Sequence, residues 1–277
     1  MMTKTNLQQK TIAFIGSGSM AEAIFSGLLR HELVKPANIL GTVKSSVDKQ
    51  ERLKEQYGIH VKTDNKEAVK AADIVVLAVK PKDAQAVVQS FAGELTKDKL
   101  LISVLAGISL SDLESFVEQK VPVVRSMPNT SAHVGASTTA ICAGTYATDE
   151  DLDLAESLFQ VVGSVHTISE QDIDGFTAIA GSGPAYFYYF LEAMEEMAAE
   201  SGFKPEEAKH IIAHTMEGAA FRYLDSDKKP HELYQEVLSP NGVTEAAFTH
   251  LEKHRVQKHF LEAMKEASKR SGSIGNS

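Results

Sequence analysis

The sequence predicts a doubly wound, mostly parallel α/β sheet followed by an all-helical region, and three observations predict it. Strand-like and helix-like stretches alternate from residue 11 to residue 168. The runs Ile12–Ile15 and Asp73–Val79 are almost unbroken apolar stretches, as parallel strands covered on both faces must be. Past Ile168 the strand pattern stops and helical spacing takes over. The expected division is therefore 1–168 for the sheet domain and 169–277 for the helical one.

The first element carries the motif that organises the chain. Thr11 to Ile15 reads as a buried strand, and Gly16-Ser17-Gly18-Ser19-Met20-Ala21 follows it directly. From Met20 to Leu29 the apolar spacing is helical. The pattern is G-x-G-x-x-A, the dinucleotide fingerprint, with Ala21 where close helix–strand packing asks for a small residue. Glycines let the backbone turn and approach a ligand, and the helix N-terminus presents free N–H groups to a pyrophosphate. A tight strand-to-helix turn with no ligand is the alternative that the motif alone leaves open.

A second strand is expected over Asn38–Val43, and its end bears on cofactor choice. An NAD site usually carries Asp or Glu there. This chain has Lys44-Ser45-Ser46, with Asp48 the nearest acid, a set suited to a 2′-phosphate or, alternatively, a solvated loop. A helix over Asp48–Tyr57 closes at Gly58, a short strand follows at Ile59–Val61, and a helix over Asn65–Ala71 leads to the strand at Asp73–Val79. That strand ends at Lys80-Pro81-Lys82-Asp83, on the ligand side of such a sheet. Further strands are expected at Leu100–Leu105, ending in Ala106-Gly107, and at Val121–Arg125. Ser137–Cys142 should break the parallel alternation near one edge. A capped helix over Asp149–Val162 and a last strand at Ser164–Ile168 complete the domain.

The second domain should open with a long helical stretch, Asp172–Ser201, kinked or closely approached at Gly181-Ser182-Gly183-Pro184. Helices are expected over Lys204–Leu224 and His231–Val237, with one more covering much of Thr244–Ser271 before a frayed tail, Ser271–Ser277. Between Glu170 and Phe203 there is no Lys, Arg or His. Carbonyl or alcohol chemistry wants a proton-shuttling group near the reacting oxygen, whereas a cyclic imine can arrive with its nitrogen already protonated and then needs mainly orientation. Ser182, and the turn Ser239-Pro240-Asn241-Gly242-Val243-Thr244 leading into a helix N-terminus, are the candidate anion holders. A helix connection capped by Thr244 is the plainer alternative.

Composition excludes several function classes. The chain of 277 residues is 43% hydrophobic and 23% charged, with net charge -9. No broad basic footprint suggests a nucleic-acid partner. No apolar run reaches membrane-spanning length, and Met1–Lys10 is polar, so the chain reads as cytoplasmic. Cys142, the single cysteine, reads as a buried strand thiol. His210/His214 and His250/His254 read as solvated helix faces, so no metal is expected. Phe187-Tyr188-Tyr189-Phe190-Leu191 with Met194 and Met197 is apolar on too many sides for one small domain to cover, which predicts an obligate dimer.

Six segments in this order resemble the pyrroline-5-carboxylate reductase family over the whole chain: Gly16–Ala21, Val79-Lys80-Pro81, Ser103–Gly107, Arg125–Thr130, Ala180–Tyr186 and Ser239–Thr244. The resemblance implies a Rossmann-type domain that binds NAD(P)H and a helical domain that interlocks with a second subunit in a homodimer, often assembled further. Lys44-Ser45-Ser46, standing where an acid would select NAD, favours NADPH with NADH weaker. The resemblance also implies reduction of 1-pyrroline-5-carboxylate to proline, the last step of proline biosynthesis. Cofactor contacts carry over to Gly16, Ser17, Gly18, Ser19, Met20, Lys44, Ser45, Ser46, Asn65, Val79, Lys80, Pro81, Ala106 and Gly107. Substrate contacts carry over to Ser239, Gly242, Val243 and Thr244, with Thr244 facing the substrate. The chain departs from the family in two places: Ser-Pro-Asn-Gly stands for Ser-Pro-Gly-Gly, and Val43-Lys44-Ser45 for Asn-Arg-Ser. A reductase of another cyclic imine or small carbonyl, or a non-catalytic NADP-binding paralogue, remains an alternative on the sequence alone.

Overall fold

The computed structural model describes residues 7–117 and 119–274. The first residues of the polar start and the last three of the expected tail lie outside them. Eight strands form one sheet in the order β3-β2-β1-β4-β5-β6-β7-β8. They are β1 (Ile12–Ile15), β2 (Ile39–Thr42), β3 (His60–Lys62), β4 (Ile74–Leu77), β5 (Leu100–Ser103), β6 (Val123–Met127), β7 (Ser137–Ala143) and β8 (Gly163–Thr167). Every pairing is parallel except β6 with β7. The expected break thus falls at Ser137–Cys142, where a five-residue 3-10 turn, Thr130–Val134, sends the chain back beside its predecessor. The strand expected at Val121–Arg125 lies two residues later, because Val121 and Pro122 lead in from the preceding turn.

The helices between these strands are α1 (Ser19–Arg30), α2 (Val47–Tyr57), α3 (Asn65–Ala71), α4 (Ala84–Gln89), α5 (Leu110–Ser115) and α6 (Asp149–Gln160). Alternation of side chains explains why the central strands are apolar throughout. Ile12 and Phe14, Ile74 and Val76, and Leu100 and Ile102 feed one core with α1 and α6. Ala13 and Ile15, Val75 and Leu77, and Leu101 feed the other with α3, α4 and α5. Both α5 and α6 begin with reciprocal capping boxes, Ser109 with Asp112 and Thr148 with Asp151.

The chain divides into two compact units, residues up to 182 together with those from 267 onward, and residues 183–266. This division differs from one at 168/169. Segment 170–181 packs with the sheet: Ile173 and Ala178 are buried, Glu170 pairs with Arg125 at 2.8 Å, and Asn129 Nδ2 donates to the Ala180 carbonyl at 2.9 Å. The expected long helix is also interrupted. After α7 (Ile173–Phe176) the backbone runs as a π-turn over Thr177–Gly181, and α8 (Gly183–Glu200) then begins. The wide turn, with Ser182 N–H donating to Thr177 O at 2.9 Å, accommodates the glycine and proline cluster that a regular helix tolerates poorly.

In the second unit α9 (Pro205–Leu224), α10 (Pro230–Gln235) and α11 (Val243–Lys253) follow. The last expected helix is two, α11 and α12 (Val256–Ser273), because Arg255 takes φ 51° and breaks the spiral between them. The tail is helical to Ser273 rather than frayed from Ser271. Ser271 is buried, and its hydroxyl donates to Asp174 at 2.7 Å.

Candidate functional site

The strand order reverses between β1 and β4, so the ligand crevice of this sheet lies at their carboxyl ends. Gly16 makes the turn there with φ 87°, and a Cβ at this position would sit 2.8 Å from the Ala78 carbonyl oxygen and 3.1 Å from Val79 Cγ1. Only glycine fits. Gly18 differs: its φ is -73°, it is the N-cap of α1 with no side-chain cap, and an added Cβ would meet only Ala78 O, at 4.0 Å. The fold itself does not require glycine at 18, and the space beside the helix N-terminus is not filled by the chain. This is the fit expected of a pyrophosphate site.

Sequence reasoning overlooked Thr42, which holds this turn from β2. The Gly16 N–H donates to Thr42 Oγ1 at 2.9 Å, and the Ser17 N–H donates to Thr42 O at 3.1 Å. A threonine that is 4% exposed at a strand end must place its hydroxyl somewhere, and that was the signal available. Ser17 Oγ packs over Gly41 and is buried with no hydrogen-bond partner among the described residues.

The other residues expected at the cofactor gather along the same edge. Lys44, Ser45 and Ser46 are exposed just past β2, and Ser46 caps α2 by accepting from Lys49 N–H at 3.3 Å. Asn65 opens α3 behind its N-cap Asp64. Val79, Lys80 and Pro81 follow β4, with Pro81 starting a short 3-10 turn. Ala106 and Gly107 follow β5, where Gly107 takes φ 75°. Met20 lies on the first turn of α1 beside Ser19, whose hydroxyl meets His133 Nε2 at 2.6 Å. One turn further on, Glu22 accepts two Arg52 N–H bonds at 2.7 Å and the Tyr57 hydroxyl at 2.9 Å. The Arg52 guanidinium holds the Glu22 carboxyl below the usual carboxylate range.

Ser182 stands in the first unit at the end of the π-turn, and the Ser239–Thr244 turn belongs to the second unit. Asn241 takes φ 56°, which asparagine tolerates better than most residues. Its N–H donates to Glu245 at 2.6 Å. A Cβ on Gly242 would fall 2.2 Å from Ser239 Oγ and 2.8 Å from Ser239 O, so the tight Ser239–Gly242 turn depends on glycine. Gly242, not Thr244, is the N-cap of α11. Thr244 is the second residue of the helix, half-buried, and its hydroxyl has no partner among the described residues. Val243 is 92% exposed. The turn thus offers free helix N–H groups and one uncommitted hydroxyl side by side.

Cys142 is 2% exposed, and burial pushes its thiol up to about 11. It is protonated and unreactive at neutral pH. The His250 and His254 rings lie 4.5 Å apart, but among the described residues no three His, Cys, Asp or Glu side chains converge as metal ligands. No helix among them is long and apolar enough to cross a membrane.

Known proteins match this arrangement along the whole chain. Residues 170–274 match the family described as pyrroline-5-carboxylate reductase dimerisation, and residues 11–107 match NADP oxidoreductase coenzyme F420-dependent. A pyrroline-5-carboxylate reductase 1 of Bacillus spizizenii is 41% identical over 97% of this chain and 90% of its own. The solved pyrroline-5-carboxylate reductase of Coxiella burnetii is 35% identical with a TM-score of 0.85, covering 95% of this chain and 97% of its own. That of Plasmodium falciparum, solved with NADP bound, is 28% identical with a TM-score of 0.89, covering 97% of this chain and 99% of its own. With a curated relative at 41% identity over nearly its full length, the chain belongs to the pyrroline-5-carboxylate reductase family.

Proposed function

We infer that this protein is an NADPH-dependent reductase that converts 1-pyrroline-5-carboxylate to proline, the last step of proline biosynthesis. The observation that carries the reading is the glycine turn, built so that Gly18 opens onto space the protein does not fill, in a chain of this family. Bound NADPH supplies the hydride that goes to the C=N carbon of the substrate. The chain's own residues bind and orient. Gly16, Ser17, Gly18, Ser19 and Met20 receive the pyrophosphate at the start of α1. Lys44, Ser45 and Ser46 take the 2′-phosphate, while Asn65, Val79, Lys80, Pro81, Ala106 and Gly107 line the rest of the dinucleotide. Thr244 holds the substrate at its carboxylate or nitrogen, supported by Ser239, Gly242, Val243 and Ser182. When the imine nitrogen arrives protonated, hydride transfer needs no proton from the chain, and the site works by proximity and orientation.

The test is oxidation of NADPH in the presence of 1-pyrroline-5-carboxylate, with proline identified as product. Oxidation with a keto acid and none with the pyrroline would overturn the reading. In the same assay Lys44→Ala should raise the KM for NADPH by about tenfold, the value of one charge-assisted hydrogen bond, and leave NADH nearly untouched. Equal loss with both cofactors would remove Lys44 from the 2′-phosphate site.

The active form is a homodimer joined through the helical region, able to assemble further, and it works in the cytoplasm. Phe187 is 59%, Tyr188 63%, Tyr189 73% and Met197 61% exposed on α8, with Phe221 63% and Leu224 81% on α9. So large an apolar surface on a single chain calls for a covering subunit. Light scattering at micromolar concentration should give twice the chain mass or a multiple of it. A folded, active monomer would defeat the dimer.

A further inference from the structure

We propose that His133 is a positioning residue for the cofactor's pyrophosphate, acting through the hydroxyl of Ser19 and tightening binding by taking up a proton when the dinucleotide arrives. The inference rests on the dinucleotide reading of the glycine turn. Ser19 is the first residue of α1, next to the open space beside Gly18, and its Oγ lies 2.6 Å from His133 Nε2. Hydroxyl geometry permits two arrangements. If Nε2 accepts, the Ser19 proton is spent on the histidine and Oγ offers only lone pairs to an anion. If Nε2–H donates, the Ser19 proton is free to donate to a phosphate oxygen. An anionic ligand selects the second arrangement and favours protonation of the far nitrogen, Nδ1, by a proton from solvent.

The histidine is held on a rigid turn. Asn129 N–H donates to the buried Ser137 hydroxyl at 3.1 Å, and the Asn129 side chain caps the turn by accepting from Ser131 N–H at 3.0 Å. Ala132, next to His133, is 3% exposed in the core, and Gly135 closes the turn with φ 73°. His133 itself is exposed and so reachable by solvent protons. It shares a recess of about 500 Å³ with Ser19, Glu22, Arg30, Arg52 and Tyr57. The charged and titratable groups facing it are therefore Glu22 and Arg30 from α1 and Arg52 and Tyr57 from α2. Glu22 is held charged by Arg52, and burial pushes the Tyr57 hydroxyl up. The Glu22 carboxylate in turn raises the Arg52 guanidinium above its usual range. Among these groups the imidazole is the one whose second ring nitrogen, Nδ1, can take up a proton while Nε2–H donates.

Binding is measured by NADPH and NADH fluorescence between about pH 6 and pH 8, the range in which imidazoles titrate. NADH has no 2′-phosphate, so its profile reports on the protein alone. The expected wild-type affinity for NADH falls as pH rises, and calorimetry in buffers of different ionisation enthalpy should show proton uptake on binding. His133→Ala should weaken both dinucleotides about tenfold at the acid end, the value of one hydrogen bond, and flatten the profile. His133→Gln keeps a donor without a titrating proton; it should retain most of the affinity and also give a flat profile. On a Ser19→Ala background His133→Ala should cost nothing further. A merely structural Ser19–His133 staple predicts a lowered melting midpoint with unchanged affinity and pH profile, and that result would overturn the proposal. Failure of the wild type to bind NADPH at all would instead bring down the cofactor reading, and this inference with it.

Discussion

Gly16→Ala is expected to lose both stability and cofactor binding, whereas Gly18→Ala should lose binding alone. At Gly16 the φ of 87° places any Cβ 2.8 Å from the Ala78 carbonyl oxygen. That contact is with backbone, so β1 and β4 must separate at the turn. Left-handed backbone costs an L-residue about 1–2 kcal/mol, and the forced separation adds to it, for a total of about 2–4 kcal/mol. The Thr42 bonds that fix the turn stretch with it, and a displacement of about 1 Å at such a site costs about a hundredfold in function. Gly18 takes φ -73°, and its added Cβ would meet nothing closer than 4.0 Å. Gly18→Ala should therefore melt like the wild type. Its methyl group enters the space beside the α1 N-terminus and should weaken NADPH binding by about tenfold or more. Chemical denaturation and NADPH titration on the two variants separate the roles. Normal NADPH affinity in Gly18→Ala would mean that the pyrophosphate does not approach this backbone.

These two glycines also mark what the sequence made legible. The strand–turn–helix order and the spacing G-x-G-x-x-A locate the turn, because left-handed backbone and close packing have few residue solutions. The apolar central strands were equally plain, since two cores ask for an apolar residue at every position. The partners of the turn were not plain. Thr42 is 26 residues from Gly16 in sequence, and His133 is 114 from Ser19. Such contacts follow from strand order, and no local pattern encodes strand order. The misplaced features at the chain's end have the same origin. Arg255 breaks α11 from α12 with no proline or glycine to announce it. Ser271, polar and near the terminus, is fixed by a hydrogen bond to Asp174 from 97 residues away. At the Ser239–Thr244 turn the sequence left two readings of Thr244 open, anion holder or helix cap: small polar residues at 239, 241 and 244 compete for the cap, and the backbone gives it to Gly242.

That last detail sharpens the expected behaviour of Thr244→Ala. A capping threonine would contribute about 1 kcal/mol to stability, and its loss would show first as a lower melting point. Thr244 is instead the second residue of α11, with Gly242 as N-cap and Glu245 Oε2 bound to the Asn241 N–H. Its hydroxyl makes no hydrogen bond among the described residues, so removing it breaks nothing in the fold. The free N–H groups of the first turn and the positive end of the helix dipole attract an anion to the same spot. A hydrogen bond from the threonine to the substrate's charged group is worth about 1.5–3 kcal/mol, or roughly ten- to a hundredfold in kcat/KM. Thr244→Ala should lose that much toward 1-pyrroline-5-carboxylate, keep its NADPH affinity, and melt within about 1 °C of the wild type. Thr244→Ser retains the hydroxyl and should recover most of the activity. Both quantities are measured on one preparation, by steady-state kinetics and a thermal scan. A normal kcat/KM for the alanine variant would remove Thr244 from the substrate site. A midpoint lowered by several degrees would show that the hydroxyl serves the fold after all.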